Sequence, residues 1–263
     1  MTTMTTTMQD STTMLRRSLR RLVRYPSMTV LLVGMPVIFL LMFVYVFGQT
    51  LGAGLGATSG NRAAYANYVT PGIILITIAM AAQGTAISVA MDMAAGLIAR
   101  FRTMPIARAS VLTGHALASF IQTMLSLLVV IAVAVAVGFR PAASPKDWLG
   151  AVVLLALFTL ALTWLSVAFG LVAKSPESAS NLPTFLVLLP FLGSGFVPTS
   201  SMPAALAWFA AHQPFTPTTE TIRGLLLGTP IGPDAALAVA WSVGILALSY
   251  LWAKRRFNHH STR

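Results

Sequence analysis

Long uncharged stretches constrain this chain more than any other feature. A helix needs roughly 20 apolar residues to cross about 30 Å of hydrocarbon. Between charged residues the chain offers 63–91, 109–139, 148–173, 178–219 and 235–253, and a further run, 25–61, follows the first arginine cluster. This pattern predicts an all-α membrane protein that crosses the bilayer several times.

Composition excludes an ordinary soluble domain. Charged residues make up 9% of the chain and hydrophobic residues 56%, whereas a soluble domain carries about 25% charged residues. The net charge of +11 suggests nucleic-acid binding only at first sight, because the basic residues flank apolar spans as the positive-inside rule requires. We therefore expect the lipid bilayer, and no nucleic acid, as a partner.

The stretch 178–219 is too long for a single crossing. A continuous helix of that length would extend about 63 Å, and the stretch is interrupted by Pro183, Pro190, Pro198, Pro203, Pro214 and Pro217. We interpret it as one span followed by a re-entrant segment, with an amphipathic surface hairpin as the alternative. The six predicted spans are 28–48, 68–91, 116–138, 149–173, 181–198 and 235–253.

The amino terminus has two parts. Residues 1–13 are rich in Thr and Met without apolar periodicity, which predicts a disordered tail. In residues 14–25 the leucines fall on one helical face and the arginines on the other, which predicts an amphipathic helix lying on the membrane surface. Its basic face consists of Arg16, Arg17, Arg20, Arg21 and Arg24. The membrane domain then covers 14–257, and 258–263 form a cytoplasmic tail.

The distribution of basic residues predicts the orientation in the cell membrane. Six spans with an internal amino terminus leave four basic residues outside: Arg62, Arg140, Lys146 and Arg223. The remaining 13 of the 17 Lys and Arg residues fall in predicted cytoplasmic segments. Both termini are therefore predicted to be cytoplasmic.

The sequence contains no motif for catalysis. The chain has no cysteine, no metal-ligand spacing, no nucleophile elbow and no phosphate-binding G-x-x-x-x-G-K-[ST] loop. We expect no catalytic residue, no metal and no cofactor in this chain, so ATP and Mg²⁺ would be bound by a partner. No carboxylate lies deep in a predicted span, which argues against a proton antiporter.

The segment between the second and third predicted spans is short, basic and predicted to be cytoplasmic. Leu97, Ile98, Phe101 and Met104 form an apolar patch on a short helix that Pro105 ends. Such a helix either inserts into a groove on a partner protein or lies on the membrane surface with its arginines obeying the positive-inside rule. Spacing alone leaves both interpretations open.

A family resemblance favours the first interpretation. The segment Gly96-Leu-Ile-Ala-Arg-Phe-Arg-Thr-Met-Pro-Ile-Ala-Arg108 resembles the cytoplasmic loop of ABC-2 type permeases of the daunorubicin/doxorubicin-resistance-like branch. Tyr68-Val-Thr-Pro-Gly72, Ser175-Pro-Glu-Ser-Ala179 and Pro214-Phe-Thr-Pro217 are also similar to that family, in the same order. The resemblance covers about residues 14–257.

This resemblance implies a six-span subunit of an ATP-driven exporter of drugs or other amphipathic molecules. Such subunits work as dimers with two separate ATPase chains. Lipids, glycans or endogenous natural products are alternative cargoes, and a secondary carrier outside the family is a further alternative. The residues implied to contact the ATPase are Gly96, Leu97, Arg100, Phe101, Arg102, Met104, Pro105 and Arg108, with a smaller contact at Lys174 and Glu177.

The same resemblance implies that the second and fifth spans line the pathway and that 199–230 form an outer gate. The pathway candidates are the polar residues Gln83, Thr85, Ser88 and Gln122. Hydrogen bonding between helices explains such polar side chains equally well. Phe185, Phe191 and Phe196 are candidates for an apolar slide or plug, with ordinary packing as the alternative.

Overall fold

A computed structural model describes residues 26–54, 62–95 and 108–259. All regular elements within these ranges are helical, as expected. The predicted tail 1–13, the predicted surface helix 14–25 and most of the predicted ATPase contact, 96–107, lie outside the described residues.

The chain order of the elements is as follows. The first apolar stretch contains α1 (Pro26–Leu41), a π-helix (Met42–Phe47) and α2 (Gly48–Gly54). Then come α3 (Arg62–Ala94), α4 (Arg108–Val137), α5 (Pro145–Val172), α6 (Pro176–Asn181), α7 (Thr184–Leu188), a 3-10 turn (Thr199–Ser201), α8 (Ala204–His212), α9 (Phe215–Leu227) and α10 (Asp234–His259).

Five described helices are long and apolar enough to cross a membrane, which makes this a multi-pass membrane protein. They are Val30–Gly52, Arg62–Ala94, Leu112–Val137, Pro145–Val172 and Asp234–Phe257. The predicted fifth span, 181–198, does not form one such helix. It is divided into α6, α7 and a run of turns, because Pro183 and Pro190 lack the N–H that a continuing helix needs.

Helix α3 is the centre of the fold. In its most apolar window 72% of the residues are buried, compared with 17% in the first and last spans. Ile73, Ile74, Leu75 and Ile76 are fully buried in consecutive positions, so α3 is enclosed on all sides there. It packs against α1, α4, α5, α6, α7 and α9.

Two glycines allow neighbouring backbones to approach α3 closely. A Cβ atom added to Gly72 would lie 2.5 Å from the carbonyl oxygen of Gly195, and one on Gly170 would lie 2.7 Å from that of Ala86. Small residues at such crossings are the usual means of close packing in membranes. The first contact joins α3 to the turns after α7, and the second joins α3 to α5.

The first span is irregular in a way that its sequence only partly indicates. Pro36 lies inside α1, and a six-residue π-helix, Met42–Phe47, follows. Wide π-turns are rare and usually occur as single turns within α-helices. No local sequence signal predicts this one.

Candidate functional site

Residues 189–196 form a run of turns after α7, and we call them the broken segment. Local bonds satisfy some of its groups, for example Phe191 N donating to Leu188 O at 3.0 Å. Carbonyls that lie outside a regular helical ladder need other donors when they are buried. Side chains from α3, from α9 and from Gln213, which precedes α9, supply them.

Arg223 of α9 bonds both to this segment and to α3. Its Nη2 donates to Ser194 O at 2.7 Å and to Tyr68 O at 3.1 Å. Its Nη1 forms an ion pair with Glu220 Oε1 at 2.5 Å, and its guanidinium carbon lies 4.0 Å from the centre of the Tyr68 ring. We call Tyr68, Ser194, Glu220 and Arg223 the Arg223 network.

Further side chains hold the same backbone. The Tyr68 hydroxyl donates to Ser194 O at 3.0 Å, and the Tyr65 hydroxyl donates to Phe196 O at 3.5 Å. Gln213 Nε2 donates to Leu189 O at 3.1 Å. The broken segment is therefore bonded along its length to two different parts of the fold.

The sequence placed Arg223 in an external segment but did not predict its surroundings. It lies within α9 with only 8% of its surface exposed. The signal that sequence reasoning missed is Glu220, three residues earlier, which is the spacing of an ion pair on one helix face. Nothing in the sequence pairs Arg223 with Tyr68, 155 residues away.

A second polar contact lies near the other end of α3. His115 Nε2 of α4 is 2.9 Å from Asp92 Oδ2, and the two side chains are 16% and 9% exposed. Asp92 lies near the end of α3, just beyond the predicted second span, and nothing in the sequence pairs it with His115. The contact joins the two helices that border residues 96–107.

The polar pathway candidates do not share one surface. Along the second half of α3, exposed and half-buried residues follow helical spacing and form an open stripe: Met80, Gln83, Gly84, Ile87, Ser88 and Met91. Gln83 on this stripe donates to Ser180 O at 2.9 Å and to Thr184 Oγ1 at 3.1 Å. Gln83 and Ser88 thus lie on the open side of α3, beside α6 and α7.

Thr85 and Gln122 lie elsewhere. Thr85 is buried against α4, where its hydroxyl contacts that of Ser119 and donates to Ala81 O at 2.9 Å. Gln122 is half-buried on α4, and its backbone carbonyl oxygen accepts a hydrogen bond from the Ser126 hydroxyl at 2.9 Å. The contact between Thr85 and Ser119 is interhelical, which is the kind that the alternative interpretation describes.

Two of the three phenylalanine candidates belong to one aromatic cluster. Phe191 and Phe196 stack with their centroids 4.7 Å apart, and Phe43 of the π-helix lies 4.5 Å from Phe196. Phe185 is separate from this cluster. It is 48% exposed, and its ring centroid lies 6.1 Å from that of Phe169 of α5. The cluster therefore joins the broken segment to the irregular first span.

The smaller predicted partner contact is exposed. Lys174 and Glu177 both lie at the surface, around the start of α6, which Ser175 and Ser178 cap reciprocally. A hydrogen bond from the Ser175 side chain lowers the pKa of Glu177 below its ordinary value, so this carboxylate is ionised at neutral pH. Arg108 is the first residue of α4, and the other proposed contact residues, 96–105, lie outside the described residues.

Within the described ranges, no group of three or more His, Asp or Glu side chains is arranged to hold a metal ion. The polar contacts of the site link helices to one another.

Comparison with known proteins gives a consistent result. The sequence model of a family described as ABC-2 type transporter matches residues 9–227. The daunorubicin resistance ABC transporter permease protein DrrB1 of Streptomyces coeruleorubidus is 28% identical over 245 residues, which are 92% of this chain and 84% of that protein.

Two proteins of Mycobacterium tuberculosis (strain ATCC 25618 / H37Rv) are also similar. The probable doxorubicin resistance ABC transporter permease protein DrrC is 28% identical over 65% of this chain and 63% of its own length. The doxorubicin resistance ABC transporter permease protein DrrB is 26% identical over 84% of this chain and 76% of its own length.

Proposed function

Because this chain belongs to the ABC-2 type transporter family, we propose that it is the membrane-spanning subunit of an ATP-driven exporter of drugs or other amphipathic molecules. The observation that carries the proposal is the similarity to a daunorubicin resistance permease over 92% of the chain. A separate ATPase subunit supplies the energy, and a second copy of this chain or a related permease completes the membrane dimer.

In this proposal the chain crosses the plasma membrane six times with both ends in the cytoplasm. The broken fifth crossing runs through α6, α7 and the broken segment, and α8 and α9 form a re-entrant pair. Exposed Leu206, Trp208 and Phe209 on α8 support a lipid-facing position for that helix, since Trp prefers the membrane interface. Residues 14–25 lie on the cytoplasmic membrane surface.

Residues 96–108 are proposed to dock on the ATPase, with Lys174 and Glu177 as a second contact. The Asp92–His115 pair supports this assignment, because it ties together the helices on either side of the docking segment. Exposure of both Lys174 and Glu177 leaves them accessible to a partner.

The transported molecule is proposed to pass along the open stripe of α3, where Gln83 and Ser88 interrupt an apolar surface. Such a surface suits an amphipathic molecule, with apolar area for most of the contact and few polar groups for orientation. A lipid, glycan or endogenous natural product would suit the same surface, so the cargo has to be measured.

The test is reconstitution of this chain with a candidate ABC ATPase subunit from the same genome, followed by daunorubicin uptake into inverted proteoliposomes. We expect transport only with ATP and with an intact ATPase. Transport driven by an ion gradient without the ATPase would overturn the proposal in favour of a secondary carrier.

A paired variant tests the docking role. Replacing Arg100 and Arg102 by Ala should lower ATP-driven transport by about tenfold, since central contacts dominate interface energy. The matched control is Arg255→Ala with Arg256→Ala, which removes the same charge from an exposed part of α10. Equal transport by the two double variants, at equal expression, would contradict the assignment.

A further inference from the structure

We propose that Arg223 is a positioning residue that holds the broken segment against α3. It does so by bonding to carbonyls on two separate elements, Ser194 O in the segment and Tyr68 O in α3. The Arg223 network lies at the end of α3 remote from residues 96–107. Its part in transport rests on the proposed function, whereas its restraint of the broken segment does not.

The chemistry of these contacts requires an arginine. One planar guanidinium here donates to two carbonyls and a carboxylate while its face covers an aromatic ring. A lysine ammonium is a compact point charge on a flexible stem and does not reproduce this fork. Glu220 partly neutralises the charge, which lets a cation remain buried beside apolar helices.

Packing alone does not fix the segment at this point. Gly195 meets Gly72 backbone to backbone, so no side chain interlocks there. Without Arg223, Ser194 O would keep the Tyr68 hydroxyl as its side-chain donor. Phe196 is held by the aromatic cluster on the far side. The inference is therefore that Arg223 controls how often residues 194–195 leave α3.

A thiol at position 194 reports this opening directly. The chain has no cysteine, and Ser194 is 2% exposed, with an Oγ atom that makes no hydrogen bond within the described part of the chain. Ser194→Cys therefore introduces one buried thiol without removing a bond. A water-soluble maleimide should label it slowly in detergent-purified protein.

Adding Arg223→Gln to this reporter should raise the labelling rate by about tenfold, because local opening sets the reactivity of a buried group. Arg140→Gln is the matched control: Arg140 is exposed, and its guanidinium donates to Val135 O and Phe139 O of its own neighbourhood. Its backbone N–H, which the substitution keeps, donates to Asn67 Oδ1. Ser200→Cys, at an exposed position, should label fast in each background and checks the reagent. Equal labelling at position 194 in the Arg223→Gln and Arg140→Gln backgrounds would overturn the proposal.

A milder change covers the case in which Arg223→Gln does not fold. Tyr68→Phe keeps the ring beneath the guanidinium and removes only the hydroxyl bond to Ser194 O, so labelling should rise about threefold. Arg223→Lys should give a rate between those of the wild type and Arg223→Gln. Unchanged labelling in Tyr68→Phe and Arg223→Lys together would also refute the restraint.

The transport measurement is separate from the labelling. In the reconstituted complex, Arg223→Gln should keep ATP hydrolysis and lose most daunorubicin uptake, whereas Arg140→Gln should keep both. Faster labelling with unchanged uptake would overturn the transport role and leave the restraint standing. Wild-type protein that transports nothing with any ATPase would count against the proposed function, and the labelling result would still stand.

Discussion

The two ends of α3 make different kinds of polar contact. About 36 Å of helix separates Tyr68 from Asp92. At the Tyr68 end, one guanidinium, two tyrosine hydroxyls and a glutamine bond to backbone carbonyls of the broken segment or of α3 itself. At the Asp92 end, the Asp92 carboxylate contacts the His115 ring of α4 at 2.9 Å.

The difference follows from the backbone that each end has to support. Regular helices satisfy their own N–H and C=O groups, so the polar contacts between α3 and α4 join side chains, Asp92 with His115 and Thr85 with Ser119. The broken segment lacks a regular helical ladder, so several of its carbonyls accept bonds from side chains elsewhere in the chain. Irregular backbone inside a membrane domain therefore needs many donors from elsewhere in the chain.

The largest expected effect is at Gly72, where the Tyr68 end depends on space as well as on donors. Gly72→Ala puts a Cβ 2.5 Å from Gly195 O, and both groups are backbone, so the broken segment must shift. Overpacking of this kind costs about 1–3 kcal/mol. Thermal stability in detergent should fall clearly.

Gly84→Ala is the control on the same helix, because nothing lies within 4 Å of a Cβ at that position. The comparison of the two ends breaks down if Gly72→Ala and Gly84→Ala melt at the same temperature as the wild type.

The second effect concerns the Asp92 end. Asp92→Asn should destabilise the protein by about 1–2 kcal/mol, since it weakens a charge-assisted bond between partly buried groups. A double-mutant cycle with His115→Gln measures the pair itself and should give a coupling energy of about 0.5–3 kcal/mol. Additive effects of the two substitutions would show that the 2.9 Å contact contributes no specific stability.

The smallest expected losses of stability come from removing single tyrosine hydroxyl bonds at the Tyr68 end. Tyr68→Phe removes a 3.0 Å bond to Ser194 O and Tyr65→Phe removes a 3.5 Å bond to Phe196 O. We expect Tyr68→Phe to cost about 1 kcal/mol and Tyr65→Phe less, because a bond at the distance limit contributes little. Urea or thermal melts of the two variants give the order, and a larger loss in Tyr65→Phe would reverse our ranking of these donors.

The pattern of apolar stretches predicted much of the fold. Four of the six predicted spans, at 68–91, 116–138, 149–173 and 235–253, coincide with long helices, and the first span agrees apart from its π-helix. The stretch after Glu177 was correctly predicted to be interrupted, but its division into short helices and turns was not. Because the helix is interrupted at both Pro183 and Pro190, no helix in this stretch is long enough to cross a membrane.

The polarity of a residue does not fix which side of its helix faces a neighbour. Gln83 and Thr85 are both polar, yet Gln83 lies on the open stripe and Thr85 faces α4. Two residues along a helix correspond to about 200° of rotation, so the packing of neighbours decides which side stays open. Composition cannot distinguish them.

The sequence by itself determined that this chain is a membrane protein, which stretches become long helices and which family it resembles, because hydrocarbon imposes a length and a polarity on every span. Only the tertiary structure decided that Arg223 is buried and meets Tyr68, that Asp92 meets His115, and that Gly72 meets Gly195. These contacts join residues from 23 to 155 positions apart. Local pattern carries no information about such pairs, since they depend on how finished helices pack.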